Sequence, residues 1–449
     1  MNRVNIGMKI TSANAKRIWL ARALTLVFFL TAAGAIAVRA KTPAQSSSSF
    51  SASKSMMESV NQTGLPPTRI SLMPYRHAAL QYAVVGYLRS KIPLVAFDGT
   101  KYLPAGFSDD PGIYYFIPRL AVWSGISVEK AIDLFFGAIL AASFLTGMIG
   151  FLFILDRWPL KLWSVFALCM LLWFTYRKGD VYVALSTPAV AAIPWFLCVL
   201  RKNAASTGTA AFLFGIGLLA GLAGQIRSYA ATSLVLFMVI LIAFELQRGW
   251  GRKLALLAAL LAGMAIPAAY FHNLIAQRDA FLTAAQPGYT QTVNQHPIWH
   301  TVYTGLGFRK NPYVAGYSDE VAADAVYSIS PSTPYLSAEY ERILRDKSLR
   351  IAREHPLFIV VTLLDKLRIV LFLLLCWSNA GLLAAAFYPK GWAMESAFWC
   401  ALAFSSLFGI VAIPQVQYLL GFMAVAAIYG IVSLDYAIKR RRPRKLRPR

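Results

Sequence analysis

The run LFFGAILAASFLTGMIGFLFIL at residues 134–155 decides the fold. It carries no charged side chain, and a helix of about 20 apolar residues spans the hydrocarbon core of a bilayer. The run is the centre of an apolar stretch over about residues 131–155, and the chain repeats that pattern. By hydropathy the other spans lie at about 18–38, 160–176, 181–200, 208–226, 229–246, 254–271, 357–388, 393–413 and 415–435, about ten in all. The expected class is an all-α polytopic membrane protein.

Composition agrees. Of 449 residues, 57% are hydrophobic and 14% charged, which is too apolar for a soluble globule. Cys169, Cys198, Cys376 and Cys400 fall inside apolar runs and read as small buried apolar residues, without disulfide or metal-ligand spacing. The net charge of +24 includes the run Lys439-Arg440-Arg441-Arg442-Pro443-Arg444-Lys445, which follows directly on the last span. Lys and Arg at such a place mark the cytoplasmic side and meet anionic headgroups. The basic charge therefore points to membrane lipids as partners and argues against nucleic acid.

Residues 1–17 carry Arg3, Lys9, Lys16 and Arg17 ahead of the first span, so the N-terminus is read as cytoplasmic. The run at 18–38 exceeds the h-region of a signal peptide and reads as a retained anchor. The links at 156–159, 201–203 and 247–253 fall on the same side, as does the tail at 436–449. Two long segments, 39–130 and 272–356, stay outside. Between and after them lie a six-helix region at 131–271 and three C-terminal spans at 357–435.

The first external segment opens on a Ser-rich linker at 45–55. Its residues 77–88 have apolar side chains at helical spacing over a length too short to span, which predicts an interfacial helix. A second short helix is expected after Asp110-Pro111, with Asp110 as N-cap and Pro at the first helical position. In the second external segment, residues 337–354 alternate acids and bases at helical spacing and predict a soluble helix. Asp365, Lys366 and Arg368 place the start of the next span at the interface or against protein.

The chemistry-bearing residues stand out against this background. Acids are scarce, at 20 against 44 Lys and Arg, and Ser108-Asp109-Asp110-Pro111-Gly112-Ile113-Tyr114-Tyr115 holds two side by side. Paired carboxylates serve acid–base chemistry or cap a turn. Arg177-Lys178-Gly179-Asp180 and Arg227-Ser228-Tyr229 break the positive-inside trend. Asp180 is expected to pair with Arg177 or Lys178, and Arg227 either meets a phosphate or caps a helix C-terminus. His296 and His300 either ligate a metal or make loop hydrogen bonds, with Pro297 opposing a helix interior. Asp319-Glu320 reads equally as a helix N-terminus or a ligand site.

In the order of its parts, the region at about 70–250 resembles the GT-C superfamily of polyprenyl-phosphate-sugar-dependent membrane glycosyltransferases, especially the protein-mannosyltransferase-like group. The parts are the helix at 77–88 with its Tyr82-x-x-x-Gly86-Tyr87-Leu88 tail, then Asp110-Pro111-Gly112-Ile113-Tyr114-Tyr115, then Trp123-Ser124-Gly125-Ile126-Ser127 leading into a span. The Arg-bearing span end at 221–228 and the stretch at 296–307 also look like members of that kind.

The resemblance implies a GT-C-like layout with two large external segments carrying interfacial helices. It implies transfer of a sugar from a lipid-linked donor to an envelope glycan, lipid or protein acceptor, with inversion. Asp109 or Asp110 would be the general base, with Arg227 and His296 or His300 near the lipid phosphate and Tyr229, Tyr114 and Tyr115 as further substrate contacts. A bacterial inner (plasma) membrane is the implied location. The family admits a divalent cation, although no ligand cluster of recognisable spacing marks one here.

The chain departs from the family in one place. An acid is usual just before the first interfacial helix, and Met73-Pro74-Tyr75-Arg76-His77 has none. The base is then Asp109, Asp110, Asp98 or Glu58, or the transferase chemistry is lost. A lipid-linked glycan flippase and a non-catalytic envelope-assembly scaffold are the competing classes. Transporters usually carry internal repeats and polar breaks at mid-membrane, whereas this chain gathers its polar groups in the external segments.

Overall fold

The structure, a computed structural model, describes residues 68–70, 72–106, 110–202, 207–246, 249–286, 289 and 298–441. The expected first span, the Ser-rich linker, Asp109, His296 and the end of the basic tail lie outside them. Fifteen α-helices, one 3-10 turn and one two-stranded hairpin make up the described fold.

Two short helices precede the bundle. Helix α1 (Pro74–Ser90) covers the interfacial stretch expected at 77–88, and α2 (Pro111–Ser124) starts on Pro111 as expected. Between them lies an antiparallel hairpin, β1 (Val95–Phe97) with β2 (Tyr102–Pro104), which the sequence reading omits. Asp98 holds its turn by accepting from the backbone N–H of Thr100 and of Lys101.

The bundle then runs through α3 (Val128–Ile154), α4 (Trp158–Lys178), α5 (Val183–Lys202), α6 (Thr207–Ile226), α7 (Thr232–Phe244) and α8 (Trp250–Ala285). It resumes after a second extramembrane segment with α12 (Pro356–Ser378), α13 (Ala380–Phe387), α14 (Trp392–Val411) and α15 (Leu420–Arg441). Among the described residues seven helical stretches are long and apolar enough to cross a membrane, namely those of α3, α4, α5, α6, α8, α14 and the last one, Val416–Arg440. The protein is thus an all-α integral membrane protein.

Three expected spans change shape. The span at 229–246 shortens to the 13 residues of α7, because Arg227 to Ala231 form a turn. The span at 254–271 lengthens to a 36-residue helix, because the hydrogen-bond ladder continues past the apolar run through Arg278 and Asp279. The long span at 357–388 breaks at Asn379, whose φ of 38° ends α12 and starts α13. Hydropathy marks where a helix is apolar, and these ends are set by the backbone.

Helices α5 and α15 form the centre of the bundle. In their apolar windows 78% and 83% of residues are buried, against 28% for α4 and α8. Close approach is bought by small residues. A Cβ on Gly263 would lie 2.2 Å from the Phe214 carbonyl oxygen, which locks α8 to α6, and one on Gly381 would lie 2.2 Å from that of Gly430, which locks α13 to α15. The cysteines correct the sequence reading. Cys169, Cys376 and Cys400 are exposed on outer helix faces, since acyl chains accept a small apolar residue as well as a core does.

The second segment holds α9 (Ile298–Leu306), α10 (Asp319–Tyr327) and α11 (Ala338–Glu354) around a small core that includes Tyr303, Val326, Tyr340 and Leu344. Helix α11 fulfils the charge pattern at 337–354, and Ser337 caps it by accepting from Tyr340 N–H. Glu341 reaches across to accept from the backbone N–H groups of Trp299 and His300, capping the first turn of α9.

Helix ends sort into two sets. Contacts of Arg76 with Asp180, of Gly112 with Gln225 and of Tyr229 with Phe408 gather α1 and α2 over one end of the bundle. Contacts of Arg201 with Asp435, of Lys439 with Asp156 and of Lys390 with Glu395 gather the opposite ends.

Candidate functional site

Arg76 is the hub of the first end. It sits in the first turn of α1, only 2% exposed, and its Nε donates to Asp110 Oδ2 at 2.8 Å while Nη1 donates to Asp180 Oδ2 at 2.7 Å. A lone guanidinium buried this way would cost several kcal/mol, and two carboxylates in hydrogen-bond contact offset that cost. Burial pulls the Arg76 value down, but Asp180 and Asp110 outweigh it and hold it well above the ordinary arginine range.

Each acid is delivered by its local backbone. Asp110 precedes α2, and Pro111 at the first helical position fixes the turn that aims its side chain inward. The expected N-cap bond is not made, because the carboxylate is turned to Arg76 instead. Helix α4 ends in Gly179 at φ 47° and Asp180 at φ 58°, two successive left-handed residues that swing the Asp180 side chain away from the helix. Its Oδ1 also accepts from Val181 N–H at 2.7 Å. The expected pairing of Asp180 with Arg177 or Lys178 is therefore corrected: both bases are exposed, and Asp180 points into the protein.

Tyrosines surround the charges. The Arg76 guanidinium lies 4.9 Å from the Tyr75 ring centre and 5.9 Å from that of Tyr182. Arg227 lies 5.1 Å from the Tyr182 ring centre and 5.4 Å from that of Tyr229. Tyr182 thus meets two buried arginines. Tyr418 meets Tyr182 edge to face, with ring centres 4.9 Å apart, and Tyr229 stacks on Phe408. Tyr317, from the second segment, interacts with Tyr418. Burial raises the phenol of Tyr75, of Tyr114 and of Tyr317 above the ordinary tyrosine value, so these groups stay neutral donors.

Four of the expected site residues meet here. Asp110, Tyr114, Arg227 and Tyr229 share the Arg76 centre, and Gly112 packs α2 on the end of α6, where a Cβ would lie 2.9 Å from the Gln225 carbonyl oxygen. The fully buried Tyr114 hydroxyl has no hydrogen-bond partner among the described residues. A cavity of about 20 Å³ beside Tyr229, Ser233, Ser405 and Tyr418 has room for about one water.

Two expected residues lie elsewhere. Tyr115 faces α8, hydrogen-bonded to Tyr270 and covered by Arg119 at 3.9 Å. His300 belongs to the core of the second segment, where its Nε2 meets Asp319 at 2.9 Å and its Nδ1 meets the Tyr340 hydroxyl at 3.1 Å. Asp319 also begins α10, which is the helix N-terminus reading of that acid. Asp109 and His296 lie outside the described residues. Among the described residues no three of His, Cys, Asp and Glu gather as a metal-ligand set.

Arg76, Tyr75, Asp180, Tyr182, Tyr317 and Tyr418 are site residues that the sequence reading does not assign to the site. Gly179-Asp180 carries a usable signal, since a Gly-Asp step after a helix favours left-handed backbone and an inward carboxylate. Comparison with protein-family models, curated proteins and solved structures gives no significant match.

Proposed function

We propose that the chain is a membrane glycosyltransferase of the GT-C kind, moving a sugar from a polyprenyl-phosphate donor to an envelope glycan, lipid or protein acceptor. The observation that supports this reading is the convergence of two carboxylates, two arginines and a wall of tyrosines at one end of the bundle. On this reading that end faces outward. An expected first span at 18–38, with α7 and α12–α13 also crossing, would bring the layout to about ten spans and both termini to the cytoplasm.

The residue types suit the chemistry. Inverting transfer needs a carboxylate to take the acceptor hydroxyl proton, cationic donors for the leaving lipid phosphate, and aromatic faces for the sugar. Asp110, buried and committed to Arg76, acts as a positioning residue, and the general base falls to its neighbour Asp109. Arg227 and Tyr229 receive the phosphate, and the Tyr114 hydroxyl supplies a hydrogen bond to bound substrate.

Purified full-length protein in detergent, supplied with a panel of polyprenyl-phosphate sugars and candidate acceptors, tests the reading. Transfer with release of polyprenyl phosphate is expected, and Asp109→Asn should lower kcat by about 10²-fold or more. Full transfer by that variant would overturn the base assignment, and donor binding without any turnover would overturn the enzyme reading. For orientation, a cysteine at Ser49 should react with an impermeant reagent on intact cells and one at Pro448 should not.

A further inference from the structure

A cavity opens at the other end of the bundle. It holds about 430 Å³ among the ends of α5, α7 and α15 and the start of α14. Pockets of this size accept small molecules or headgroups. Its lining is apolar in part, with Leu197, Leu246 and Val432, and carries both signs of charge. Arg201 and Lys439 share Asp435 at 2.7 and 2.9 Å, with side chains 44% and 41% exposed. Arg201 has donors left over, since only Nη1 and Nη2 are used, on the Ile154 carbonyl and on Asp435. The lining also includes Glu245, whose side chain has no hydrogen-bond or ion-pair partner among the described residues. Lys390 is spent on Glu395 and Ser433.

The depth of the cavity is marked independently. Phe244, Trp250 and Trp392 are 54%, 64% and 66% exposed at the same helix ends, the belt that aromatic residues form at headgroup level. A cavity opening at that depth, lined by a cation with donors to spare, by a carboxylate without a partner among the described residues and by apolar side chains, suits a ligand that is phosphate at one point, ammonium at another and acyl chain beyond. The geometry points to a binding site for a zwitterionic phospholipid of the phosphoethanolamine class, its phosphate on Arg201 and its ammonium on Glu245.

Gly391 provides a clean way to close the site. It lines the cavity, its backbone φ of −54° admits any side chain, and the one atom within 4 Å of a Cβ there is Glu245 Oε2 at 3.8 Å. Delipidated full-length protein in detergent would be titrated with phosphatidylethanolamine, with phosphatidylglycerol and with soluble phosphoethanolamine, reading the melting midpoint and retained lipid by native mass spectrometry. Phosphatidylethanolamine should be retained and raise the midpoint, phosphatidylglycerol should bind about tenfold more weakly, and Glu245→Gln and Gly391→Phe should each weaken phosphatidylethanolamine by about tenfold or more, about 1.4 kcal/mol. Equal binding of phosphatidylglycerol, or undiminished binding by Glu245→Gln, overturns the proposal. Soluble phosphoethanolamine binding as tightly as the lipid would overturn the lipid as occupant. Glu245→Gln keeps the side chain's size and breaks no hydrogen bond or ion pair among the described residues, so it keeps the test valid if Gly391→Phe fails to fold. None of these readouts involves sugar transfer, so the site stands or falls apart from the transferase reading.

Discussion

The two ends of the bundle solve the same problem in opposite ways. At one, Arg76 is sealed between Asp110 and Asp180 under a shell of tyrosines, with room for about one water nearby. At the other, Arg201, Lys439 and Asp435 pair at the rim of a cavity of about 430 Å³, with the two cations more than 40% exposed. Burial makes the first pairing stiff and costly to break. Solvent screening makes the second cheap to rearrange.

Removing the cation at the sealed end is the strongest way to break this contrast. Arg76→Ala leaves two buried carboxylates without a partner and should cost about 3–5 kcal/mol, seen as a collapse of the melting midpoint in detergent. Asp180→Asn keeps a hydrogen bond to Arg76 while removing one charge and should cost about 1.5–3 kcal/mol in the same assay. At the open end Lys390→Met should cost less, about 1–2 kcal/mol, because Glu395 is 20% exposed and keeps bonds from the Tyr429 hydroxyl and the residue 390 backbone N–H. An Arg76→Ala variant as stable as Lys390→Met would erase the distinction between the ends.

The smallest effect concerns the hairpin beside the sealed end. Backbone N–H groups of Lys101 and Thr100 hold the Asp98 carboxyl below its ordinary value. A depressed carboxyl contributes stability above its unfolded value, near pH 4, and loses it as pH falls through the folded one. Protease sensitivity at the hairpin should therefore rise only at strongly acid pH, and Asp98→Ala should show that sensitivity at neutral pH.

Much of the scaffold was legible, because lipid imposes a length and a polarity on every crossing. Residues 134–155, the start of α2 at Pro111 and the charged helix at 337–354 followed from that, from helix-start chemistry and from charge spacing. The site was legible in half. Asp110, Tyr114, Arg227 and Tyr229 were marked by residue type, whereas Arg76 drew notice only as the base standing where an acid was expected. Its partners are 34 and 104 positions away, and no local pattern encodes which distant carboxylate a buried arginine will meet. Hydropathy was equally blind to the central place of α5 and α15, since a leucine looks the same against lipid as against protein.

Helix α8 gives the molecule a mechanical property. At 1.5 Å per residue its 36 residues reach about 54 Å, against about 30 Å of hydrocarbon, so about 24 Å of the rod stands clear of the hydrocarbon core. Its root carries Trp250 at the open end, and its tip is tied to the hairpin by the bond from Gln286 to the Tyr102 carbonyl. A rod so anchored converts bilayer thickness into position: a tilt of about 5° about its middle carries the tip by about 2 Å. The hairpin packs on α1, so the tip of α8 and the helix that holds Arg76 bear on one and the same hairpin.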